Sequence, residues 1–170
     1  MKNSLVALCI CLTIFKSNAL IFRGLKDTKS VQQPVLSVKL ETFENSQYYI
    51  GFAFKGTWFE AMQHCKLLNM DLVSVETEAE NDFLFEKMKL LFGGDDEYRF
   101  WSSGSTLADD KWVWMGTGLP IKYFQWMPKQ PDNARDNEKC LEIRYNPHDG
   151  ILWNDENQNK DLHVVCESKI

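Results

Sequence analysis

The chain has 170 residues, of which 44% are hydrophobic and 13% aromatic, and its formal net charge at pH 7 is −5. This length is sufficient for one domain with a substantial core. The acidic balance, without a dense patch of Lys and Arg, argues against nucleic acid or an anionic membrane as a partner.

The N-terminal segment has the pattern of a secretory signal peptide. One basic residue, Lys2, precedes an apolar run over residues 5–15, and small residues end the segment at Ala19. The apolar run is shorter than the about 20 residues that cross a bilayer. We therefore expect residues 1–19 to be a signal peptide, the mature chain to begin at Leu20, and the protein to be secreted, extracellular and without a membrane span.

The next segment, residues 20–44, has mixed polarity and no sustained helical or strand period, so we predict a linker or an extended arm. A single domain is predicted over residues 45–169. Its opening run, YYIGFAF at 48–54, is aromatic and β-branched, which predicts a strand, and Lys55-Gly56 predicts a turn after it.

Two amphipathic helices follow this strand. Thr57 and Glu60 have the spacing of a capping box, and the first helix should bury Trp58, Ala61, Cys65 and Leu68. A short buried strand is predicted over residues 72–75. The second helix is predicted from about Glu76 to Leu91, with a buried stripe of Asn81, Phe83, Leu84, Met88 and Leu91. An Asn on such a stripe needs hydrogen-bond partners for its amide.

From Phe100 onward, short β-runs alternate with turns. Strands are predicted at 100–104, 111–115, 141–143 and 162–167, with a turn at Gly116 and Gly118. Alternation places Trp112 and Trp114 on one face of the second of these runs. Helices first and antiparallel strands later indicate an α+β fold, with long irregular loops between residues 116 and 155.

Most of the tryptophans fall on inward positions of these elements, which favours a core role over a ligand platform. These are Trp58, Trp101, Trp112, Trp114 and Trp126. Trp153 is predicted to anchor the two polar residues that follow it.

Five side chains that end in hard oxygen atoms lie in the irregular region. They are Gln130, Asp132, Glu138, Asn154 and Asp155, in two clusters separated by the strand-like run 140–144. Oxygen donors without imidazole or thiolate suit calcium. A cis peptide bond before Pro131 would turn both flanking side chains toward one point. On composition alone a polar surface loop is the more common explanation of such a segment.

Removal of the signal peptide leaves three cysteines, Cys65, Cys140 and Cys166. In an oxidising compartment an odd number means that one thiol is free or is paired between two chains.

Taken in order, these segments resemble the C-type lectin domain over about residues 43–169. The matching pieces are WFEAMQHC with LVSVETEAENDFL, then FWSSG, KWVWMGTG, FQW, QPD, NEKCLEI, WND and the final VVCE. Small single-domain lectins secreted by insects resemble the chain most. The resemblance implies a C-type lectin-like fold and a calcium-dependent carbohydrate-binding function.

The same resemblance implies roles for the five oxygen-bearing residues. Gln130, Asp132, Glu138, Asn154 and Asp155 fall at the family's principal calcium site, where two neighbouring sugar hydroxyls bind the ion and bond to the same side chains. A Gln and Asp pair around the proline is associated with galactose-class sugars. The implied cofactor is Ca²⁺, and the implied partners are galactose-class glycans on glycoproteins or cell surfaces.

Three features depart from the family pattern. The family partner of Cys140 is replaced by Gln158, so we predict one intrachain disulfide, Cys65–Cys166, and a Cys140 that is either a buried thiol or a bridge in a homodimer. The loop NARDN after QPD has no aromatic residue. The family's accessory calcium site is doubtful because it would need acids at the positions of Ser105 and Asn133.

Two other classes of function fit the sequence less well. The three histidines, His64, His148 and His163, lie far apart, and no zinc-protease, nucleophile-elbow or phosphate-loop motif is present, so we do not expect an enzyme. His148 lies near the predicted site in sequence. The other alternative is a lectin-fold module that binds a protein ligand, but such modules usually lose calcium ligands, and all five are present here.

Overall fold

The computed structural model describes residues 39–170. The predicted signal peptide and residues 20–38 of the predicted arm lie outside the described residues. None of the helices in the described part of the chain has the length and apolar character needed to span a bilayer.

Two helices and nine short strands make up the described residues. The helices are α1 (Trp58–Leu67) and α2 (Glu78–Phe92), and a 3-10 turn covers Ala134–Asp136. The strands are β1 (Glu41–Phe43), β2 (Ser46–Gly56), β3 (Asp71–Leu72), β4 (Tyr98–Ser105), β5 (Val113–Trp114), β6 (Leu119–Pro120), β7 (Cys140–Asn146), β8 (Gly150–Glu156) and β9 (Leu162–Lys169). The predicted α+β architecture is confirmed.

All nine strands belong to one sheet, with the path β1-β2-β9-β4-β5-β6. The strand β3 pairs with β9, and β7 pairs with both β4 and β8. Neighbouring strands run antiparallel as predicted, with one exception: β4 and β9 are parallel, with Phe100 opposite His163. The hairpin of β7 and β8 pairs with β4, in the middle of this path, and the long loop after β6 leads into β7.

The first helix has the predicted start, and its buried face differs from the prediction at Leu68, which is the C-cap residue and is only partly buried. Thr57 and Glu60 form the capping box, with the Thr57 backbone N–H donating to Glu60 Oε2 at 2.8 Å. Trp58, Ala61 and Cys65 are buried. Cys65 forms a disulfide with Cys166 of β9, at a Cα–Cα distance of 5.5 Å, so α1 is covalently attached to the central sheet.

The second helix starts two residues later than predicted and buries a slightly different face. Thr77 is its N-cap. The predicted burial of Leu91 is wrong, since this side chain is 37% exposed. Glu80 is buried instead, because its carboxylate accepts hydrogen bonds from the Tyr48 hydroxyl at 2.7 Å and the Glu76 backbone N–H at 2.8 Å.

Asn81 lies on the buried face of α2, and its amide has the partners that burial requires. Nδ2 donates to the backbone oxygen of Ile151 at 3.2 Å, and Oδ1 accepts from Trp153 Nε1 at 3.2 Å. Both partners belong to β8, so this one side chain joins α2 to the strand that carries the WND motif.

Several strand boundaries differ from the predictions. β1 falls within the segment predicted as an arm and pairs with β2. β2 continues through the predicted turn at residues 55–56, with an irregular register between Gly51 and Gly56. The strand predicted over residues 72–75 is regular only at Asp71–Leu72, although Val73 still bonds to Val165 and Ser103. Only Val113–Trp114 of the run 111–115 is strand.

The core contains four of the six tryptophans. Trp58, Trp101, Trp114 and Trp153 are each no more than 1% exposed. Trp112 and Trp126 are only partly buried and pack against each other, with ring centroids 5.2 Å apart. The prediction of a core role is therefore confirmed for Trp58, Trp101 and Trp114 and only in part for Trp112 and Trp126.

Candidate functional site

The long loop between β6 and β7 is attached to β8 through backbone hydrogen bonds. Met127 N donates to Trp153 O at 2.8 Å, and Trp153 N donates to Gln125 O at 2.7 Å. Because Trp153 is fully buried beneath this contact, it anchors the residues that follow it, as predicted. The QPD and WND motifs are brought together in this way.

Direct contacts connect the two motifs. The Gln130–Pro131 peptide bond is cis. Asp155 is 1% exposed, and its two carboxylate oxygens accept from Asp132 N at 3.1 Å and from Asn133 N at 2.7 Å. Gln130 Oε1 also accepts from Asp132 N, at 2.9 Å.

Three of the predicted ligands converge on one point. Asp132, Glu138 and Asp155 each offer a carboxylate oxygen, and these atoms lie within 4.8 Å of one another. Oxygens bound to one calcium ion at 2.3–2.6 Å are at most about 5 Å apart, so the spacing fits that ion. Oxygen-only donors also exclude the softer metals that select thiolate or imidazole.

The electrostatics of Glu138 agree with this fit. Burial raises the pKa of its carboxyl group, and the negative charges of Glu156, Asp155 and Asp132 raise it further. A carboxylate among other carboxylates is costly to ionise unless a cation lies between them. The cluster is therefore chemically suited to a divalent cation.

The amide of Asn154 is held by two hydrogen bonds of its own. Asn154 Nδ2 donates to Glu142 Oε2 at 2.9 Å and to the Asp155 backbone oxygen at 2.6 Å. Of the five predicted residues, the three acids converge on one point. Gln130 contacts this group by accepting a hydrogen bond from Asp132 N. Asn154 donates to Glu142.

Glu142 belongs to an ionic network that sequence reasoning missed. Its carboxylate is fully buried and accepts from Arg99 and from Arg144 Nε, the latter at 3.0 Å. Arg99 Nη2 also donates to Glu156 Oε2 at 2.5 Å. An acid between the apolar Leu141 and Ile143 was the available signal, because a charge in a buried strand requires a partner.

The two positions that made an accessory calcium site doubtful support the loop. Ser105 Oγ donates to Lys139 O at 2.9 Å and accepts from Leu107 N at 3.0 Å. Asn133 Oδ1 accepts from Glu138 N at 3.1 Å. Both side chains thus bond to the backbone that presents Glu138.

Cys140 is a free thiol with no exposed surface. Its Sγ lies 3.9 Å from Ser105 Oγ, and burial raises the pKa of the thiol to about 12. Of the two outcomes predicted for this cysteine, the structure has the buried thiol.

The expected proximity of His148 to the site is wrong. His148 lies in the turn between β7 and β8, with Nε2 3.4 Å from Asp95 Oδ1. Asp155 lies near the opposite end of this hairpin, five residues beyond Gly150, or about 17 Å along an extended strand.

A cleft of about 440 Å³ adjoins the carboxylate cluster. Glu138 and Glu156 contribute to its wall, together with Arg135, Asn157 and Lys160. Acidic, basic and amide side chains therefore line an opening next to the candidate metal position.

Comparisons with known proteins identify the family of this fold. Residues 54–168 match the model of the lectin C-type domain. Perlucin of Haliotis laevigata is 31% identical over 116 residues, which cover 68% of this chain and 72% of perlucin. Salivary C-type lectin 1 of Aedes albopictus is 30% identical over 114 residues, covering 65% of this chain and 74% of that protein.

A solved structure has a similar fold. The C-type carbohydrate-recognition domain of cow CD23, determined in the presence of GlcNAc2Man3 oligosaccharide, has a TM-score of 0.65 and 26% identity. The alignment covers 77% of this chain and 93% of that domain. Since the family match alone spans more than half of the chain, the protein belongs to the C-type lectin domain family.

Proposed function

We propose that the protein is a secreted lectin that binds galactose-class sugars through calcium and is not an enzyme. The observation that carries the proposal is the convergence of Asp132, Glu138 and Asp155 within 4.8 Å. These acids stand where the family resemblance places the principal calcium site, and membership of a family of carbohydrate-binding proteins supports the ligand class.

In this proposal five side chains hold the ion: Gln130, Asp132, Glu138, Asn154 and Asp155. Bound calcium supplies a fixed positive charge that attracts two neighbouring hydroxyl oxygens of a sugar. The chain's own part is to keep the oxygens in place. Backbone N–H groups of Asp132 and Asn133 fix both oxygens of Asp155, and Ala134 N donates to Glu138 Oε2 at 3.2 Å.

The preference for galactose-class sugars rests on donors and acceptors. Gln130 Oε1 accepts from Asp132 N, which leaves the Nε2 hydrogens free to donate. Ionised Asp132 only accepts. Glu and Asn at these two positions would reverse the hydrogen-bond polarity, and the axial 4-hydroxyl of galactose presents a different pattern from the equatorial one of mannose.

The double change Gln130→Glu with Asp132→Asn tests this preference. We expect the unmodified protein to be retained on galactose-agarose in calcium and the variant to prefer mannose-agarose. Each buried polar group left unpaired by the wrong hydroxyl costs about 1–3 kcal/mol, which is ample for this change. A double variant that still prefers galactose would show that selectivity resides elsewhere.

A control makes the same chemical changes in the same loop. Gln125→Glu with Asp136→Asn alters one side chain that accepts from the Tyr123 hydroxyl and one that is exposed. Neither belongs to the carboxylate cluster, so this variant should keep the galactose preference. If the control also changes preference, the loop conformation rather than hydrogen-bond polarity determines selectivity.

Binding of a single sugar should be weak. The loop of residues 133–137 is NARDN and offers no aromatic ring for the apolar face of galactose. Multivalent presentation of glycans would compensate for this. Burial of Cys140 gives no support to a homodimer linked through that thiol.

A further inference from the structure

Glu142 is a fully buried acid on the strand next to the WND motif. It lies directly opposite Asn154 in the register of β7 and β8. Arg99 binds both of its oxygens, and Arg144 Nε binds Oε1. Two guanidinium partners hold this buried carboxylate in one position.

The contact with Asn154 uses the second oxygen of this carboxylate. Asn154 Nδ2 carries two hydrogens, and its two acceptors are Glu142 Oε2 and the Asp155 backbone oxygen. Both donors of the amide are therefore in use. Among the described residues no hydrogen bond is donated to Asn154 Oδ1, so this oxygen is the part of the amide that remains available.

Because an amide group is planar, two bonds from Nδ2 also fix the direction of Oδ1. The side chain is 5% exposed, which leaves little room for another rotamer. A ligand to a hard cation must offer oxygen and not N–H. The hydrogen bonds to Glu142 and Asp155 therefore select the only orientation of Asn154 in which oxygen is free.

We propose that Glu142 is a positioning residue for Asn154, and this rests on the proposed calcium site. Arg99 and Arg144 hold Glu142 in position, and Glu142 keeps the Asn154 amide turned so that Oδ1 is the atom offered to calcium.

The variant Asn154→Asp distinguishes a positioning role of Glu142 from a simple effect of charge on calcium binding. Asn154→Asp keeps an oxygen for calcium and adds a negative charge, which by Coulomb attraction alone would strengthen calcium binding. In our proposal the new carboxylate instead faces Glu142 without a proton between them. We expect calcium affinity, measured by isothermal titration calorimetry without sugar, to fall at least about tenfold.

Adding Glu142→Gln to Asn154→Asp reverses the direction of the hydrogen bond at unchanged net charge. Gln at position 142 would accept from Arg99 Nε and Arg144 Nε through Oε1 and donate to the new Asp through Nε2, but it would lose the bond from Arg99 Nη2, which an N–H donor cannot accept. Calcium affinity of this double variant should therefore recover in part, to at least about threefold tighter than that of Asn154→Asp alone. An Asn154→Asp protein that binds calcium as tightly as the unmodified protein, or a double variant no better than the single one, overturns the proposal.

Folding of each variant is checked by near-UV circular dichroism in EDTA. If Asn154→Asp does not fold, Glu142→Gln alone decides: calcium affinity about tenfold weaker supports the proposal, and unchanged affinity overturns it. Glu97→Gln removes the same charge near the far end of the hairpin, where Glu97 bonds to Asn146, and should change affinity less than about twofold. Absence of calcium binding by the unmodified protein would instead contradict the proposed function itself.

Discussion

The thiol of Cys140 is two residues from the predicted ligand Glu138, yet it has no contact with solvent. Only the thiolate reacts with disulfide reagents, and burial raises the pKa of this thiol to about 12. Native protein should therefore react with Ellman's reagent at least ~100-fold more slowly than free cysteine, while denatured, unreduced protein should show one thiol. Rapid labelling, or a dimer band on non-reducing gels that Cys140→Ser removes, would contradict this.

Single residues of the site could be predicted where side-chain chemistry alone identifies them. The five oxygen-bearing residues were selected because their atoms suit calcium, and three of them converge. The bond between Asn154 and Glu142 could not be predicted, because it depends on the register of β7 against β8. A shift of one residue would place Glu142 on the other face of the hairpin.

The link from α2 to β8 depends on Asn81. Replacing Asn81 with Leu would leave Trp153 Nε1 and Ile151 O without partners in a buried region. Two unpaired buried groups at about 1–3 kcal/mol each predict a loss of about 3 kcal/mol in the free energy of unfolding, measured by urea denaturation. The exposed neighbour serves as the control, because Asp82→Asn should change stability by less than about 0.5 kcal/mol. A similarly small loss for Asn81→Leu would show that this link contributes little.

The disulfide attaches α1 to β9 across 101 residues of chain. Replacing Cys65 and Cys166 with Ala together removes this constraint on the unfolded state. We expect a loss of about 2–5 kcal/mol in the free energy of unfolding, measured by urea denaturation. Cys140→Ala is the comparison that leaves the disulfide intact. A double variant as stable as the unmodified protein would mean that the bridge does not constrain the unfolded chain.

Helices were easier to predict than strands in this chain. The capping box of Thr57 and Glu60 is local, so it is legible in the sequence and present in the structure. β1 exists through its pairing with β2, and the segment over residues 72–75 lies between β9 and β4 with little regular ladder. Both depend on distant partners. Burial of Glu80 likewise depends on Tyr48, 32 residues away.

Calcium should stabilise the whole domain. The cluster of acids repels itself when no cation is present, and extracellular calcium modules have dissociation constants on the order of 10⁻⁴–10⁻³ M. Millimolar calcium should therefore add about 1 kcal/mol, or about 4 °C in melting temperature by differential scanning calorimetry. The same melting temperature in calcium and in EDTA would contradict the calcium site.

This calcium effect should diminish in acid. The pKa of Glu138 is raised in the folded protein without calcium, so this group favours folding below its unfolded pKa and loses that contribution as pH rises through the folded value. Protons then compete with calcium for the same oxygen. The difference in melting temperature between calcium and EDTA should be largest near neutral pH and shrink as pH falls through the raised pKa. A difference that grows on acidification would contradict the role of Glu138.

The fold of the molecule provides the scaffold, and the function depends on the site that the long loop and β8 build together. A lectin-like fold alone does not specify a ligand. What distinguishes a calcium-dependent lectin from a module that binds protein is the retention of a complete set of oxygen ligands. The proposal therefore depends on whether calcium controls sugar binding.

A glycan array probed with and without calcium tests this most directly. We expect the protein to bind glycans with terminal galactose-class sugars in millimolar calcium, and EDTA to abolish the signal. Asp155→Ala, which removes the most deeply buried acid of the cluster, should be as inactive in calcium as the unmodified protein is in EDTA. Binding of the same glycans in EDTA, or no binding of any glycan in calcium, would contradict a calcium-dependent lectin.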